Sequence, residues 1–181
     1  MVCPRCIEAV EKILTNENLE IVSVELGKVI LAKELSEELK SKLAKILKER
    51  GFELILNKNK RIIEEIKSVI VNIIHHSGEI PEHLNFSEMI TQKLNSDYKN
   101  LSSLFSSGEG ITIEKYIILQ KVERIKELIS YNEMNLSEIA FYMGYSSVGH
   151  MSSQFKQHTG ITPSQYAKMD TKDRATLDKV H

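Results

Sequence analysis

Two cysteines near the start of the sequence are the residues best suited to chemistry. Cys3 and Cys6 stand three positions apart, with only a proline and an arginine between them. A disulfide between them would close too small a loop to stabilise a fold, whereas paired thiolates suit soft ions such as Cu(I) and Zn(II). In a reducing compartment the pair therefore indicates a metal site or a redox pair.

The rest of the sequence lacks the residue patterns of common enzymes. No nucleophile with a base, phosphate-binding glycine loop or pair of carboxylates occurs at a usable spacing. His75 and His76 could be taken for metal ligands, but histidines at a helix end more often favour its negative C-terminus. We therefore predict a protein that is not an enzyme and requires no cofactor, with Cu(I) or Zn(II) at the cysteine pair as the ions to test.

A second candidate site is a polar helix face near residue 150. Asn135 can cap one helix, Gly144 ends it, and Ser146 or Ser147 can cap the next. The next helix has an apolar face with Val148, Met151 and Phe155, and a polar face with His150, Ser153, Gln154 and Gln157. Two short helices with a polar free face on the second form the helix-turn-helix layout that reads a DNA groove. The alternative is a three-helix interaction domain that does not bind DNA.

The same pattern occurs twice in the sequence. Aligning the chain with itself places residues 85–88 (NFSE) over residues 135–138 (NLSE). The register continues without a gap and pairs Ser96 with Ser146, Phe105 with Phe155, Gly110-Ile111-Thr112 with Gly160-Ile161-Thr162, and Tyr116 with Tyr166. Caps, apolar positions and turn glycines all recur, so the sequence predicts two copies of one helix-turn-helix unit.

The second copy closely resembles the signature of the AraC/XylS transcriptional regulators. The matching residues are Ile139-Ala140, Gly144-Tyr145-Ser146, Phe155-Lys156, Gly160-Ile161-Thr162-Pro163-Ser164 and Tyr166. The resemblance implies an all-α DNA-binding domain over residues 62–169, with helix-turn-helix units at about 85–110 and 135–160 joined by a helix over 112–131. It also implies double-stranded DNA as a partner, with RNA polymerase as a second candidate.

The resemblance further implies that the second helix of each unit enters a major groove. The candidate DNA-binding residues are Tyr98, Lys99, Ser102 and Ser103 in the first copy, and Ser147, Val148, Gly149, His150, Ser153, Gln154 and Lys156 in the second. Many family members have a long polar residue at the positions of Ser103 and Ser153. A serine reaches less far, so we expect weak base discrimination there.

The first part of the chain has its own pattern, in the order α-β-β-α-β. Helices are expected over residues 3–15 and 36–50, and strands over 19–26, 29–33 and 52–56. With Met1, Cys3 and Cys6, this order resembles the heavy-metal-associated domains of copper chaperones and metal-transporting ATPases. The resemblance implies an α+β ferredoxin-like domain (βαββαβ) over residues 1–57 that lacks its first strand. An inert domain for dimerisation or partner contact is the alternative. The missing strand also suggests that Met1 is an internal methionine, which mass spectrometry of the native protein would test.

Composition sets the remaining expectations. The 181 residues include 24 Lys and Arg against 25 Asp and Glu, so we expect modest, salt-sensitive DNA affinity. No apolar run could span a membrane and no secretory pattern is present, which favours a cytoplasmic protein without a membrane partner. Residues 58–61 are expected as a linker and 170–181 as a flexible tail.

The chain is thus predicted to be a sequence-specific transcription regulator that responds to a thiophilic metal. The alternative is a metal chaperone or adaptor whose helical domain does not bind DNA.

Overall fold

The computed structural model describes Met1, residues 3–55 and residues 57–169, which divide into two compact units at Ser68/Val69. The first unit contains α1 (Pro4–Asn16), β1 (Ile21–Glu25), β2 (Lys28–Leu31) and α2 (Glu37–Glu49). Helix α3 (Lys58–Val71) crosses the boundary and continues into a π-helical turn, Asn72–His76. The second unit then contains α4 (Phe86–Leu94), α5 (Tyr98–Glu109), α6 (Ile113–Tyr131), α7 (Leu136–Tyr142), α8 (Val148–Thr159) and α9 (Pro163–Ala167). Within the described residues, no helix is both long and apolar enough to cross a membrane.

The first unit packs its helices and a β-hairpin around a small apolar core. Strands β1 and β2 form a two-stranded antiparallel sheet with an irregularity between Ile21 and Ser23. The buried core side chains come from α1 and α2 and are Val10, Ile13, Leu14, Leu43 and Leu47. A hairpin alone is marginally stable, so its apolar face needs these helices as cover. The α-β-β-α order predicted from the sequence is confirmed.

The expected third strand, residues 52–56, does not form in the part that the structure describes, which excludes Leu56. The amide of Phe52 donates to the carbonyl oxygen of Leu47 over 2.8 Å and so closes the end of α2. Phe52 and Leu54 still pack against the core, which accounts for the strand-like alternation. The sheet has two strands, because a strand also needs a neighbouring ladder partner that the apolar pattern cannot supply.

Residues 58–61, expected as a linker between domains, are helical. Residues 58–60 form the first turn of α3, because the side chain of Asn57 accepts hydrogen bonds from the amides of Asn59 and Lys60 over 2.9 and 3.1 Å. An asparagine before a polar run serves as a helix cap as readily as a linker residue. The expected flexible tail, residues 170–181, lies outside the described residues.

The second unit repeats its local structure as its sequence repeats. Asn85 and Asn135 each cap the first helix of a copy, and Gly110 and Gly160 each end the second helix in the left-handed conformation. Behind each second helix, a buried phenylalanine packs edge-on against a tyrosine, with ring centroids 5.6 Å apart for Phe105 and Tyr116 and 5.8 Å apart for Phe155 and Tyr166. The predicted internal repeat is therefore confirmed down to individual aromatic pairs.

The two histidines that end the π-helical turn differ in their surroundings. His76 is exposed, while His75 is buried with its Nε2 3.0 Å from Oε1 of Gln120. Since Nε2 of Gln120 donates to the Tyr116 hydroxyl, its Oε1 accepts and His75 Nε2 carries the proton. Burial lowers the pKa of His75 to about 4. The expectation that both histidines act as cations at a helix end is therefore wrong for His75, which is neutral and part of the core.

A pH dependence of stability follows from His75. The unfolded state takes up a proton near pH 6.5 and the folded state only near 4, so stability falls as the pH drops through this window. Between pH 7 and 4.5 the unfolding free energy of the wild type should fall by about 2 kcal/mol more than that of His75→Gln. Urea denaturation at both pH values measures this. The charges of Arg124, Glu127 and His76 also shift the pKa of His75. An equal loss of unfolding free energy in the wild type and in His75→Gln would show that these charges offset the effect of burial.

Candidate nucleic-acid interface

Helix α5 presents the candidate residues of the first copy. Asp97 caps it by accepting hydrogen bonds from the amides of residues 99 and 100, over 2.9 and 3.3 Å. Leu101 and Phe105 are buried and fix which side of α5 faces solvent. Of the four predicted residues, Lys99 and Ser103 are exposed, whereas the two others are half-buried.

Tyr98 is held against the linking helix rather than free in solvent. Its hydroxyl donates to Oε1 of Glu114 over 2.6 Å. Burial, together with this bond, raises the pKa of Tyr98, and the same bond lowers the pKa of Glu114. Tyr98 therefore fixes the N-terminal turn of α5 on α6, and this places Lys99 at the exposed start of the helix.

Helix α8 presents the candidate residues of the second copy. Ser147 is its cap and accepts a hydrogen bond from the His150 amide over 3.1 Å, which decides between the two candidate caps. Met151 and Phe155 are fully buried. The exposed candidates are Gly149, His150, Ser153 and Lys156 in addition to the cap, while Val148 and Gln154 are half-buried. The predicted division of α8 into an apolar and a polar face is confirmed.

Tyr145, in the turn before α8, organises the polar face. It is 7% exposed, and its hydroxyl donates to Oε1 of Gln154 over 2.6 Å. The ring of His150 packs edge-on against it, with ring centroids 5.4 Å apart, and the hydroxyl oxygen of Ser146 lies 3.5 Å from His150 Nδ1. The sequence reasoning missed Tyr145 as a site residue, because no helical spacing connects it with Gln154.

Lys121 on α6 connects the first helices of the two copies. Its Nζ donates to the carbonyl oxygen of Met143 over 3.0 Å and lies 4.8 Å from the ring centroid of Tyr145. The ring centroid of Phe86, in the first copy, is 5.9 Å away. Burial lowers the pKa of Lys121 to about 8. This side chain therefore helps to fix both copies on the one linking helix.

The charge near α8 favours an anionic partner. Between Glu138 and Asp170 the sequence contains no acidic residue but includes Lys156 and Lys168, both exposed. The N-terminus of α8, which the neutral Ser147 caps, adds the partial positive charge of a helix end. Such a surface suits phosphate groups, although the net charge of the whole chain is −1.

Cys3 and Cys6 belong to the first unit. Their sulfur atoms are 3.4 Å apart, both side chains are half-buried, and neither forms a disulfide. Among the described residues, no group of three or more His, Cys, Asp or Glu side chains is placed to hold a metal ion. Two thiolates suit a soft ion with few ligands, such as Cu(I), whereas a structural Zn(II) site needs four.

The family model that matches this chain lies within the second unit. Residues 90–169 match the family model described as a helix-turn-helix domain. The chain is 24% identical over 140 residues to the probable transcriptional regulator LumQ of Photobacterium leiognathi, an alignment that covers 76% of this chain and 56% of LumQ. It is 27% identical over 85 residues to the melibiose operon regulatory protein of Escherichia coli (strain K12), covering 47% of this chain and 28% of that protein. The chain thus spans little more than half of the first relative and less of the second, and both are named as regulators rather than enzymes.

Solved structures agree on the fold. The C-terminal domain of AraT, a response regulator from Geobacillus stearothermophilus, superposes with a TM-score of 0.54 at 24% identity, over 66% of this chain and 94% of that one. A transcriptional regulator from Chromobacterium violaceum, described as an AraC-type DNA-binding domain-containing protein, superposes with a TM-score of 0.51 at 22% identity, over 62% and 96%. The helical unit of this chain therefore shares the helix-turn-helix fold of these two structures.

Proposed function

We propose that this chain is a transcription regulator that binds double-stranded DNA through α5 and α8. The observation that carries the proposal is the duplicated helix-turn-helix, in which each copy has the same cap and the same buried aromatic pair. The named functions of the relatives support it. With both copies fixed on α6, their second helices would enter successive major grooves about one DNA turn, roughly 34 Å, apart.

The two kinds of contact would be divided among different residues. Lys99 and Lys156 are exposed near or along the second helices and would neutralise phosphates, which positions the protein without reading sequence. His150, Ser153 and Gln154 share the polar face of α8 and would read base edges. Since few cations contribute, the affinity should be modest, and it should fall as salt rises with a slope of about 1 for each phosphate that a cation neutralises.

Selection of random duplex DNA followed by affinity measurements at several salt concentrations tests this proposal. We expect a bipartite site with halves about one helical turn apart. Lys99→Ala and Lys156→Ala should each weaken binding to all sites and reduce the salt slope by about 1. Lys12→Ala, an exposed lysine of α1, is the matched control and should change neither quantity. Failure to enrich any duplex would contradict DNA binding and favour the protein-adaptor alternative.

We further propose that the first unit is related to the heavy-metal-associated domains and that Cys3 and Cys6 bind Cu(I). The 3.4 Å separation of their sulfur atoms supports the proposal. Titration of the reduced protein with Cu(I) against a competing chelator should show one tight site that Cys3→Ser and Cys6→Ser each remove. Binding of equal strength in the wild type and both variants would rule the site out. On this proposal the metal is the signal, and DNA, together with RNA polymerase, is the target of regulation.

A further inference from the structure

The contact between Tyr145 and Gln154 fixes the orientation of a residue on the polar face of α8. The Tyr145 hydroxyl donates to Gln154 Oε1 over 2.6 Å. Burial raises the pKa of Tyr145, so the hydroxyl stays protonated and remains a donor. The ring is fixed as well, because it is 7% exposed and contacts both Lys121 and His150.

This bond changes what Gln154 can offer to a base. A free glutamine recognises adenine with both ends of its amide, since the oxygen accepts from adenine N6 while the nitrogen donates to N7. In this chain the oxygen is directed at Tyr145, and the nitrogen is the end left for a ligand. Guanine presents the acceptor O6 where adenine presents its N6 donor, so a side chain that offers only a donor there is satisfied by guanine and not by adenine.

His150 adds to the same preference. It stands one helical turn before Gln154 on the same face and is exposed. Its Nδ1 lies 3.5 Å from the Ser146 hydroxyl oxygen. When that hydroxyl donates to Nδ1, the proton of the neutral ring is on Nε2, so the free edge of His150 is also a donor.

We propose that Tyr145 is a positioning residue that holds Gln154 as a hydrogen-bond donor, so that α8 selects guanine over adenine at the base that Gln154 contacts. The inference rests on the proposed function and goes beyond it by naming the base and the residue that sets the choice. Tyr145 itself needs no contact with DNA, because it acts through the amide of Gln154.

Selection of random duplexes on the wild type, Tyr145→Phe and Gln154→Ala tests the inference. The wild type should enrich guanine at one position, and Gln154→Ala should lose the preference at that position only, which identifies the contact. Tyr145→Phe keeps the ring and removes the hydroxyl, so the ratio of affinities for guanine and adenine there should shift toward adenine by at least about fivefold. Tyr131→Phe, which removes a tyrosine hydroxyl that donates to Glu127 on α6, should leave this position unchanged.

The possible outcomes separate the two proposals. The inference would be overturned if the wild type preferred adenine at the base that Gln154 contacts. It would also be overturned if Tyr145→Phe preferred guanine there as strongly as the wild type does. Both outcomes would leave DNA binding intact. Absence of any enriched duplex for the wild type would overturn the proposed function itself. Should Tyr145→Phe fail to fold, as circular dichroism would show, Gln154→Arg keeps the test decisive. Because arginine only donates, this variant should retain guanine, and a loss of guanine would count against the donor role.

Discussion

Phe155→Ala is expected to lower the unfolding free energy by about 3 to 5 kcal/mol, the usual cost of removing a fully buried phenylalanine ring. The side chain is 0% exposed and packs edge-on against Tyr166, so its removal leaves a cavity between α8 and α9 as well as losing an aromatic pair. A domain is typically stable by about 5 to 15 kcal/mol, so a large share of the total would be lost. Urea denaturation followed by circular dichroism measures the change.

The chain contains a matched control for this prediction. Phe141 on α7 is 67% exposed in the same copy, so Phe141→Ala should change the unfolding free energy by less than about 0.5 kcal/mol. Phe105→Ala, at the equivalent place in the first copy, should resemble Phe155→Ala, since its ring has the same burial and the same kind of tyrosine partner. A loss below about 1 kcal/mol for Phe155→Ala would mean that the core around α8 collapses onto the cavity.

The repeat explains why so much of the helical unit could be predicted from the sequence. Caps and turn residues are local signals, and several of them, such as Asn85 with Asn135 and Gly110 with Gly160, occur twice in register. The capping box formed by Asn135 and Glu138 is present as expected, with the Glu138 carboxylate accepting from the Asn135 amide over 2.7 Å. Helical periodicity likewise separated the buried positions of α8 from its polar face. Such features depend on residues within one or two turns of each other.

Most of the parts that could not be predicted depend on residues distant in the sequence. Whether residues 52–55 form a strand depends on a neighbouring strand, and no local pattern reports one. The bonds of Tyr98 with Glu114 and of Lys121 with the carbonyl of Met143 join separate helices. They arise from tertiary packing, which the spacing of residues within one helix does not report. Burial also reversed the expected charge of His75, since a helix end favours a cation only where water can reach it.

Gly144, in the turn of the second copy, is another residue whose distant contacts could not be predicted from the sequence. The sequence indicates that Gly144 ends α7, and the structure confirms a left-handed backbone there, with φ of +69°. What the sequence does not reveal is that a Cβ at this position would lie 2.7 Å from the carbonyl oxygen of Ile80 and 3.0 Å from that of Pro81. That segment cannot easily withdraw, because the Ile80 amide donates to the carbonyl oxygen of Tyr142 over 2.8 Å and the Ile80 side chain is buried.

Gly144→Ala should therefore cost the left-handed penalty of about 1 to 2 kcal/mol plus about 1 to 3 kcal/mol for the collision, about 2 to 5 kcal/mol together. Gly160→Ala isolates the first contribution, because Gly160 has φ of +82° but no neighbouring atom within 4 Å of the place that a Cβ would occupy. Denaturation of both variants should give a loss at Gly144 at least twice that at Gly160. Equal losses would mean that the segment at Ile80 yields, so that backbone conformation alone selects glycine in this turn. A larger loss at Gly144 would instead show that the segment with Ile80 and Pro81, before α4, packs firmly against the turn of the second copy. That segment would then help to hold Tyr145 and α8 in position.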